Sequence, residues 1–458
     1  MIVVLPLAIN WLTAIILTPL SGKQRWVVWL GMLGLLGSLL SSIWLAMTVF
    51  ESGPGEMVAG GWDQGIGIRL RADALGVIYI LLANALLLFA LAYEERTQVQ
   101  EHGFPALVLY LAAGLNGLFL TGDAFNFYVF FEISMTSSFI LVSYGHGARE
   151  VRDALIFTII NLLGSVFFLG GVAGLYHVTG TLDMEIIATR IDTVEPGSVI
   201  MIATLIFVAF SLKLGLFPFH FWLPAVYRGI RPVSAAILSG VLANIGSYGL
   251  IRFGADILPA ELRFGAPVLL VLGMTSVFYG ALLAISRTNE REVLAYSSIS
   301  QAGYILIGLS VGGSLGVAAA ILYSVVNALN KTLLFLTSGL RGRGAGAAFL
   351  IGAFSVAGLP PAVGFLGKAT LFRSGIGADS LAFVSLVLLG SALSFVYMFR
   401  TFQRSFWAAQ EEEEQPGLSP RQFIVLVLAG AVLLLGLWPE SLLAAANLAA
   451  TSLTGGTP

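Results

Sequence analysis

Long apolar runs bounded by glycine, proline and charged clusters recur along nearly the whole chain. They fall at residues 2–20, 26–49, 73–92, 104–121, 125–144, 155–178, 198–225, 232–251, 265–286, 294–311, 315–339, 346–376, 379–399 and 422–447. A bilayer crossing takes ~20 mostly apolar residues, and backbone polar groups in lipid must be satisfied within the spanning structure itself. The pattern predicts an all-α polytopic membrane protein of about fourteen helices, folded as a single membrane domain over residues 1–458. Fourteen crossings would use ~280 residues, which leaves short loops and no separate catalytic domain in water. The chain is therefore not expected to be an enzyme. Charged residues make up only 10% of it, against about a quarter in soluble proteins. The 23 basic and 25 acidic residues nearly cancel, which argues against a nucleic-acid partner. With no cysteine, disulfides, iron–sulfur clusters and thiolate metal sites are excluded. No cofactor is expected.

The first run has no basic residue before it and is followed by Ser21-Gly22-Lys23, so it reads as a retained helix rather than a cleaved signal. Lysine and arginine concentrate in short cytoplasmic loops. Gaps after odd-numbered runs hold fourteen of them, including Lys23, Arg228, Arg291, Arg341 and Arg404, and gaps after even-numbered runs hold six, including Arg69, Arg71 and Arg252. Odd-numbered helices are thus expected to end in the cytoplasm, with both termini outside. The three remaining basic residues are Lys213, Lys331 and Lys368. All three fall inside predicted spans.

Two runs are too long for one straight crossing and contain their own breakers. The seventh is interrupted at Pro218 and Pro224, and the twelfth carries Gly358-Leu359-Pro360-Pro361 with Gly364 and Gly367 beyond it. Proline removes a backbone donor and clashes with the preceding turn, so both helices are expected to be broken. Irregular backbone at membrane depth is tolerated where protein covers it or where it lines a wet cavity. Corresponding interruptions predict two inverted repeats, 104–251 and 265–399, with a path at the midplane. The stretch from Gly53 to Ala72, partly alternating at Gly65–Leu70, is expected to be an external loop with a small hairpin. The acidic run from Glu411 to Glu414 is expected to be a solvated face of the last cytoplasmic loop.

An ammonium group at the bilayer centre costs roughly 2.5–3.5 kcal/mol even on lenient scales, and intramembrane ionisable groups are functional by default. Lys213 and Lys331 lie too deep to reach an interface easily, while the depth of Lys368 depends on where its helix restarts after Pro361. The acid that stands out is Glu132, in Phe130-Phe131-Glu132-Ile133. Burial disfavours both charged forms and an ion pair restores them, so a glutamate and a lysine that approach or separate form a proton-responsive switch. Ser211, His220, Asn244, Ser247, Tyr248, Asn327 and Asn330 share these spans and can hold water. His220, between two prolines, fits a structural hydrogen-bonding role as well as a relay.

The segment Phe217-Pro218-Phe219-His220-Phe221-Trp222-Leu223-Pro224, with Pro232-Val233-Ser234-Ala235 and Ser239-Gly240, resembles the signature of the antiporter-like subunits of respiratory complex I, membrane-bound hydrogenases and Mrp antiporters. Further pieces of the resemblance are Phe125-Asn126 with Glu132, Ser297-Ser298-Ile299-Ser300-Gln301 with Gly303, and Gly358–Pro361 with Gly364–Lys368. Within that group, Phe125–Tyr144 and Asn161–Met184 look most like the D subunit of Mrp-type Na+/H+ antiporters. The resemblance implies that Glu132 and Lys213 form the switch of a first half-channel. Lys331 would then sit on a central hydrophilic axis and Lys368 at a second half-channel. It also implies partner membrane subunits, H+ and Na+ as transported ions, and a place in the bacterial plasma membrane. In two positions the chain departs from many relatives: Asn244 stands where they have lysine, and Asn327 where they have histidine. An amide orders water but stores no proton, which puts a continuous relay from Lys213 to Lys331 in question. Other readings stay open on the sequence: a proton-pumping arm of a redox complex, a small-solute permease, or a scaffold whose lysines hold neighbouring subunits.

Overall fold

The computed structural model describes residues 2–61, 67–97, 103–144, 147–377, 380–407 and 418–455. Leu5–Leu17 (α1) and Arg25–Ser52 (α2) lead into a two-stranded antiparallel hairpin, Gly55–Val58 (β1) against Arg69–Ala72 (β2). Ala74–Glu95 (α3), Phe104–Leu120 (α4), Ala124–Ser143 (α5) and Ala148–Thr179 (α6) follow, then the short Met184–Arg190 (α7). The middle of the chain comprises Pro196–Leu214 (α8), Leu223–Gly229 (α9), Pro232–Ala236 (α10) and Asn244–Ile251 (α11). Pro259–Ser286 (α12), Glu290–Val311 (α13), Gly313–Thr337 (α14), Arg343–Ala357 (α15), Gly364–Gly377 (α16) and Leu381–Phe402 (α17) come next. Pro420–Leu437 (α18) and Glu440–Leu453 (α19) close it.

Among the described residues, eleven helices are long and apolar enough to cross a membrane. Each coincides with an expected run. The other three runs contain the shorter apolar helices Ile2–Leu17, Phe104–Leu120 and Arg343–Ala357. Outward faces are apolar, as lipid requires: Trp29, Leu33, Leu40 and Trp44 of α2 and Leu155, Ile159 and Val166 of α6 are all exposed. The centre is α14, in which every residue from Gly316 to Thr337 is buried. Around it pack α10, α13, α15, α16, α18 and α19. Gly273 and Gly303 let α12 and α13 meet backbone to backbone, since a methyl on either would lie 2.8 or 2.5 Å from the other's carbonyl.

The seventh and twelfth runs are broken as expected. Helix α8 ends on Gly215 in the left-handed conformation, φ 69°, and α15 ends the same way on Gly358, φ 80°. Such an ending suits glycine because it has no Cβ penalty there. The peptide bonds Phe217-Pro218 and Pro360-Pro361 within the two breaks are cis. Polar groups freed by the first break find partners: Phe217 N–H donates to Ser276 Oγ at 3.1 Å, and Trp222 Nε1 donates to Leu212 O at 3.1 Å. Pro224 does not break the chain a second time. It sits in the first turn of α9, where a missing N–H costs nothing.

Two features depart from the simple run pattern. The run 422–447 is two helices, α18 and α19, divided at Trp438-Pro439. Proline cannot donate to the continuing ladder there. The Val363 N–H donates to Val432 O at 3.1 Å, so α18 lies beside the α15–α16 break. The run 232–251 carries a π-helical turn at Ile237–Leu242, and a second, Arg252–Ile257, follows it directly, so the two flank α11.

The hairpin expected between Gly53 and Ala72 forms, with Val58 opposite Arg69; Gly65 and Ile66 lie outside the described residues, as does Glu411–Glu414. A buried charge cluster fastens this end of the bundle. Arg69 donates to Asp183 at 2.8 Å and also bonds Glu185. Arg252 reaches Asp73 at 2.7 Å and Asp256 at 2.9 Å. Burial is the largest influence on the Asp73 carboxyl and would raise it, but Arg252, the Gly76 N–H and Arg71 together outweigh it and hold the group below the usual carboxylate range. Glu185 is likewise held low, by its bond to Arg69. Isolated bridges Leu70↔Thr121 and Asp123↔Asp183 tie the α4–α5 and α6–α7 connections to the same cluster.

Candidate functional site

The three membrane lysines are 5%, 0% and 2% exposed, in the order Lys213, Lys331, Lys368. Among the described ion pairs none includes any of them, and none includes Glu132. Their partners are neutral.

Lys213 lies in the last turn of α8, where the negative end of the helix favours a cation. Its ammonium donates to Asn161 Oδ1 of α6 at 2.9 Å and faces Met135 Sδ of α5 at 2.7 Å. The Phe131 ring lies 4.3 Å beneath it. A lysine has three donors, and one amide oxygen is the only strong acceptor in this set. Glu132, on the same helix as Met135 and Phe131, acts on the lysine through space without touching it. Its Oε1 is buried and accepts no hydrogen bond. The structure thus brings Glu132 and Lys213 into one neighbourhood and leaves the pair open.

Lys331 donates to Ser297 Oγ of α13 at 2.7 Å, with Leu294 O at 3.5 Å. From there a chain of side-chain hydrogen bonds crosses the second half of the bundle. Ser297 Oγ and Tyr397 OH are 3.0 Å apart, Gln301 Nε2 donates to Tyr397 OH at 3.1 Å and to Ser394 Oγ at 3.2 Å, and Tyr323 OH donates to Gln301 Oε1. Tyr323 stacks on Tyr304 with ring centroids 4.8 Å apart. Above the Tyr304 ring, at 5.1 Å, sits the ammonium of Lys368. Lys368 donates to Val356 O at 2.9 Å and Ala357 O at 3.0 Å. These are the last carbonyls of α15, freed by the break and carrying the negative end of that helix.

The amides and His220 are placed differently from one another. Asn327 is one helical turn before Lys331 and Ser324 another turn back, so the three share a face of α14. Asn327 Oδ1 and Asn330 Oδ1 are buried without a hydrogen-bond partner. Tyr79 of α3 donates to Ser324 at 2.8 Å, and Ser324 donates to Ser247 of α11 at 2.6 Å. Asn244 donates back to Gly240 O at 2.9 Å, within the π-helical turn. His220 stacks on Phe217 and meets Tyr279 edge-on, ring centroids 5.5 and 4.5 Å away, and its Nδ1 has no hydrogen-bond partner. It does not meet the lysines. Among the described residues no unbroken hydrogen-bond chain joins Lys213 to Lys331.

Sequence reasoning missed Asn161, Met135, Tyr304, Tyr323 and Tyr397 as site residues. A periodic signal for part of the set was present: Ser297, Gln301 and Tyr304 are spaced four and three apart, one polar stripe along a face of α13.

The family model described as NADH:quinone oxidoreductase/Mrp antiporter, TM, matches residues 121–344. That range contains Glu132, Lys213 and Lys331, and Lys368 lies beyond it. The D subunit of the Na(+)/H(+) antiporter of Alkalihalophilus pseudofirmus is 33% identical over 83% of this chain and 81% of its own. The chain belongs to the family of Mrp-type Na+/H+ antiporter D subunits. Among solved structures, a chain of the Mrp complex from Dietzia sp. superposes with a TM-score of 0.89 at 25% identity, covering 99% of this chain and 97% of that one. A chain of respiratory complex I from Thermus thermophilus, at 24% identity and covering 100% of both chains, has the same fold with a TM-score of 0.84. Family membership accounts for the multi-pass membrane architecture.

Proposed function

We propose that this chain is the proton-translocating subunit of a multisubunit Na+/H+ antiporter. It sits in a bacterial plasma membrane with both termini outside, and its partners are other membrane subunits. The observation that carries the reading is the hydrogen-bonded chain from Lys331 through Ser297, Tyr397 and Gln301 to Tyr323, which ends beside Lys368. Hydroxyls along this chain can pass protons by exchanging hydrogen bonds, and the Gln301 amide holds two of them in line. Lysines held by neutral partners exchange protons more readily than lysines locked in ion pairs. In this reading Glu132 and Lys213 gate the first half, 104–251, and Lys368 terminates the path in the second, 265–399. Each half contains five crossings with the fourth broken, and an odd number of crossings makes the second half inverted relative to the first. His220, Asn244 and Asn327 order water or brace the path.

The test is cation-driven pH change in everted vesicles containing the assembled complex. Lys331→Ala and Lys213→Ala each abolish most of the proton movement while the partner subunits still copurify. Full transport in either assembled variant removes that lysine from the mechanism. The likeness to complex I supports a second reading, a proton-pumping arm of a redox complex. Copurified hydrophilic subunits carrying flavin or iron–sulfur centres would favour it, and only membrane subunits the antiporter.

A further inference from the structure

At the end of the bundle where the arginine-rich connections gather, a polar cavity of about 470 Å³ opens between α9, the α12–α13 and α14–α15 connections and the end of α17. Four arginines line it: Arg228, Arg291, Arg341 and Arg404. Each is engaged, Arg228 with Glu292, Arg291 with Ile230 O at 3.2 Å, Arg404 with Arg287 O at 3.2 Å and Arg341 with Glu290 at 3.7 Å. Glu290 is the one carboxylate in the lining. Its side chain is only 11% exposed, and its Oε1 is buried and accepts no hydrogen bond.

Glu290 opens α13, the helix that carries the polar stripe. Leu294 and Ser297, whose carbonyl and hydroxyl receive the Lys331 ammonium, stand four and seven residues further along, on the same face as Glu290. Seven residues of helix rise about 10 Å, so the two positions lie about two turns apart along α13. Arginine is not deprotonated in proteins, and the hydroxyl and amide groups of the lining, Thr288, Asn289 and Ser405, stay neutral. The carboxyl is therefore the lining group that can take up and release a proton. Fixed positive charge at a mouth raises the barrier to every free cation, so what passes it is a proton bound covalently to a carboxyl, a form of transfer that Na+ does not have.

We propose that Glu290 is the proton-exchanging group through which this arginine-lined mouth communicates with Lys331, making the mouth selective for protons over metal cations. The inference rests on the reading that Lys331 carries protons. Everted vesicles with the complete complex test it. Glu290→Gln lowers cation-driven proton movement at least tenfold while the subunits copurify. Glu290→Asp restores a substantial part of it with a displaced pH profile, since the shorter carboxyl sits differently against Arg341, Arg291, Arg404 and the Arg228–Glu292 pair. Near-normal transport by the assembled Gln variant overturns the proposal. Should the Gln variant fail to assemble, the Asp variant decides: an unchanged pH profile overturns the proposal and a displaced one upholds it. Lys331→Ala separates the two levels of inference. Loss there with normal transport in Glu290→Gln removes Glu290 alone, and normal transport in Lys331→Ala removes the reading beneath it.

Discussion

At the scale of residues, the second-half path depends on one hydroxyl. Tyr397 OH is the link between Ser297, which holds Lys331, and Gln301, which holds Tyr323. Tyr397→Phe keeps the buried ring and removes the link. The two lost hydrogen bonds cost about 1 kcal/mol each, too little to unfold a large helical bundle. The expected result is normal assembly and a proton-transport rate down by about tenfold, the equivalent of roughly 1.4 kcal/mol in the rate-limiting barrier. An unchanged rate would mean that protons leave Lys331 by another way. The lysines themselves were legible in the sequence, because a charge inside an apolar run violates the rule the rest of the run obeys. Tyr397 and Tyr323 were not, because a tyrosine in an apolar run looks the same whether its hydroxyl anchors at a membrane interface or bonds inside the bundle. Asn161 was hidden for a related reason: its side chain meets Lys213 across 52 residues of chain, and no local spacing records that meeting.

At the scale of elements, proline and glycine announced the breaks in the seventh and twelfth runs, and the structure has both. They did not announce the third, at Trp438-Pro439, where a single proline in an apolar run reads equally well as a kink. The π-helical turns flanking Asn244 left no composition signal either, since a π-helix is a local misfit of hydrogen bonding rather than a preference of residues. The α15–α16 break has a specific use: its two free carbonyls hold the Lys368 ammonium at 2.9 and 3.0 Å. Lys368→Arg keeps the charge and can keep both bonds, so folding and assembly are expected to survive. Arginine stays protonated, so if Lys368 must lose its proton during turnover, cation-driven pH change in everted vesicles falls to background. Near-normal activity in that variant would make Lys368 a brace across the break and no more.

At the scale of the whole molecule, the charge cluster around Arg69 and Arg252 joins elements far apart in the chain: the hairpin, the start of α3, the α4–α5 and α6–α7 connections and the end of α11. Only a polar end of the bundle permits this, since such a set of carboxylates and arginines in lipid would cost more than it returns. Sequence placed Arg69, Arg71 and Arg252 together on one side of the membrane but could not pair them. Arg69→Met leaves Asp183, itself 6% exposed, buried without its cation, a change that costs about 3–5 kcal/mol. The purified complex is therefore expected to melt at a clearly lower temperature, with transport per assembled complex little altered because none of Arg69's partners, Glu56, Asp183 and Glu185, belongs to the lysine path. Acid should bring the two proteins closer together. Asp73 and Glu185 are held below the usual carboxylate range, so the stability they contribute is complete above about pH 4–4.5, the unfolded value, and is lost as pH falls through their lowered folded values. The wild-type melting temperature should hold down to that range and then drop. In Arg69→Met, where Glu185 has lost the bond that lowered it, the drop should be shallower. Melting curves of both proteins between pH 7 and pH 3 measure this, and parallel falls in the two would show that the cluster does not hold this end of the molecule together.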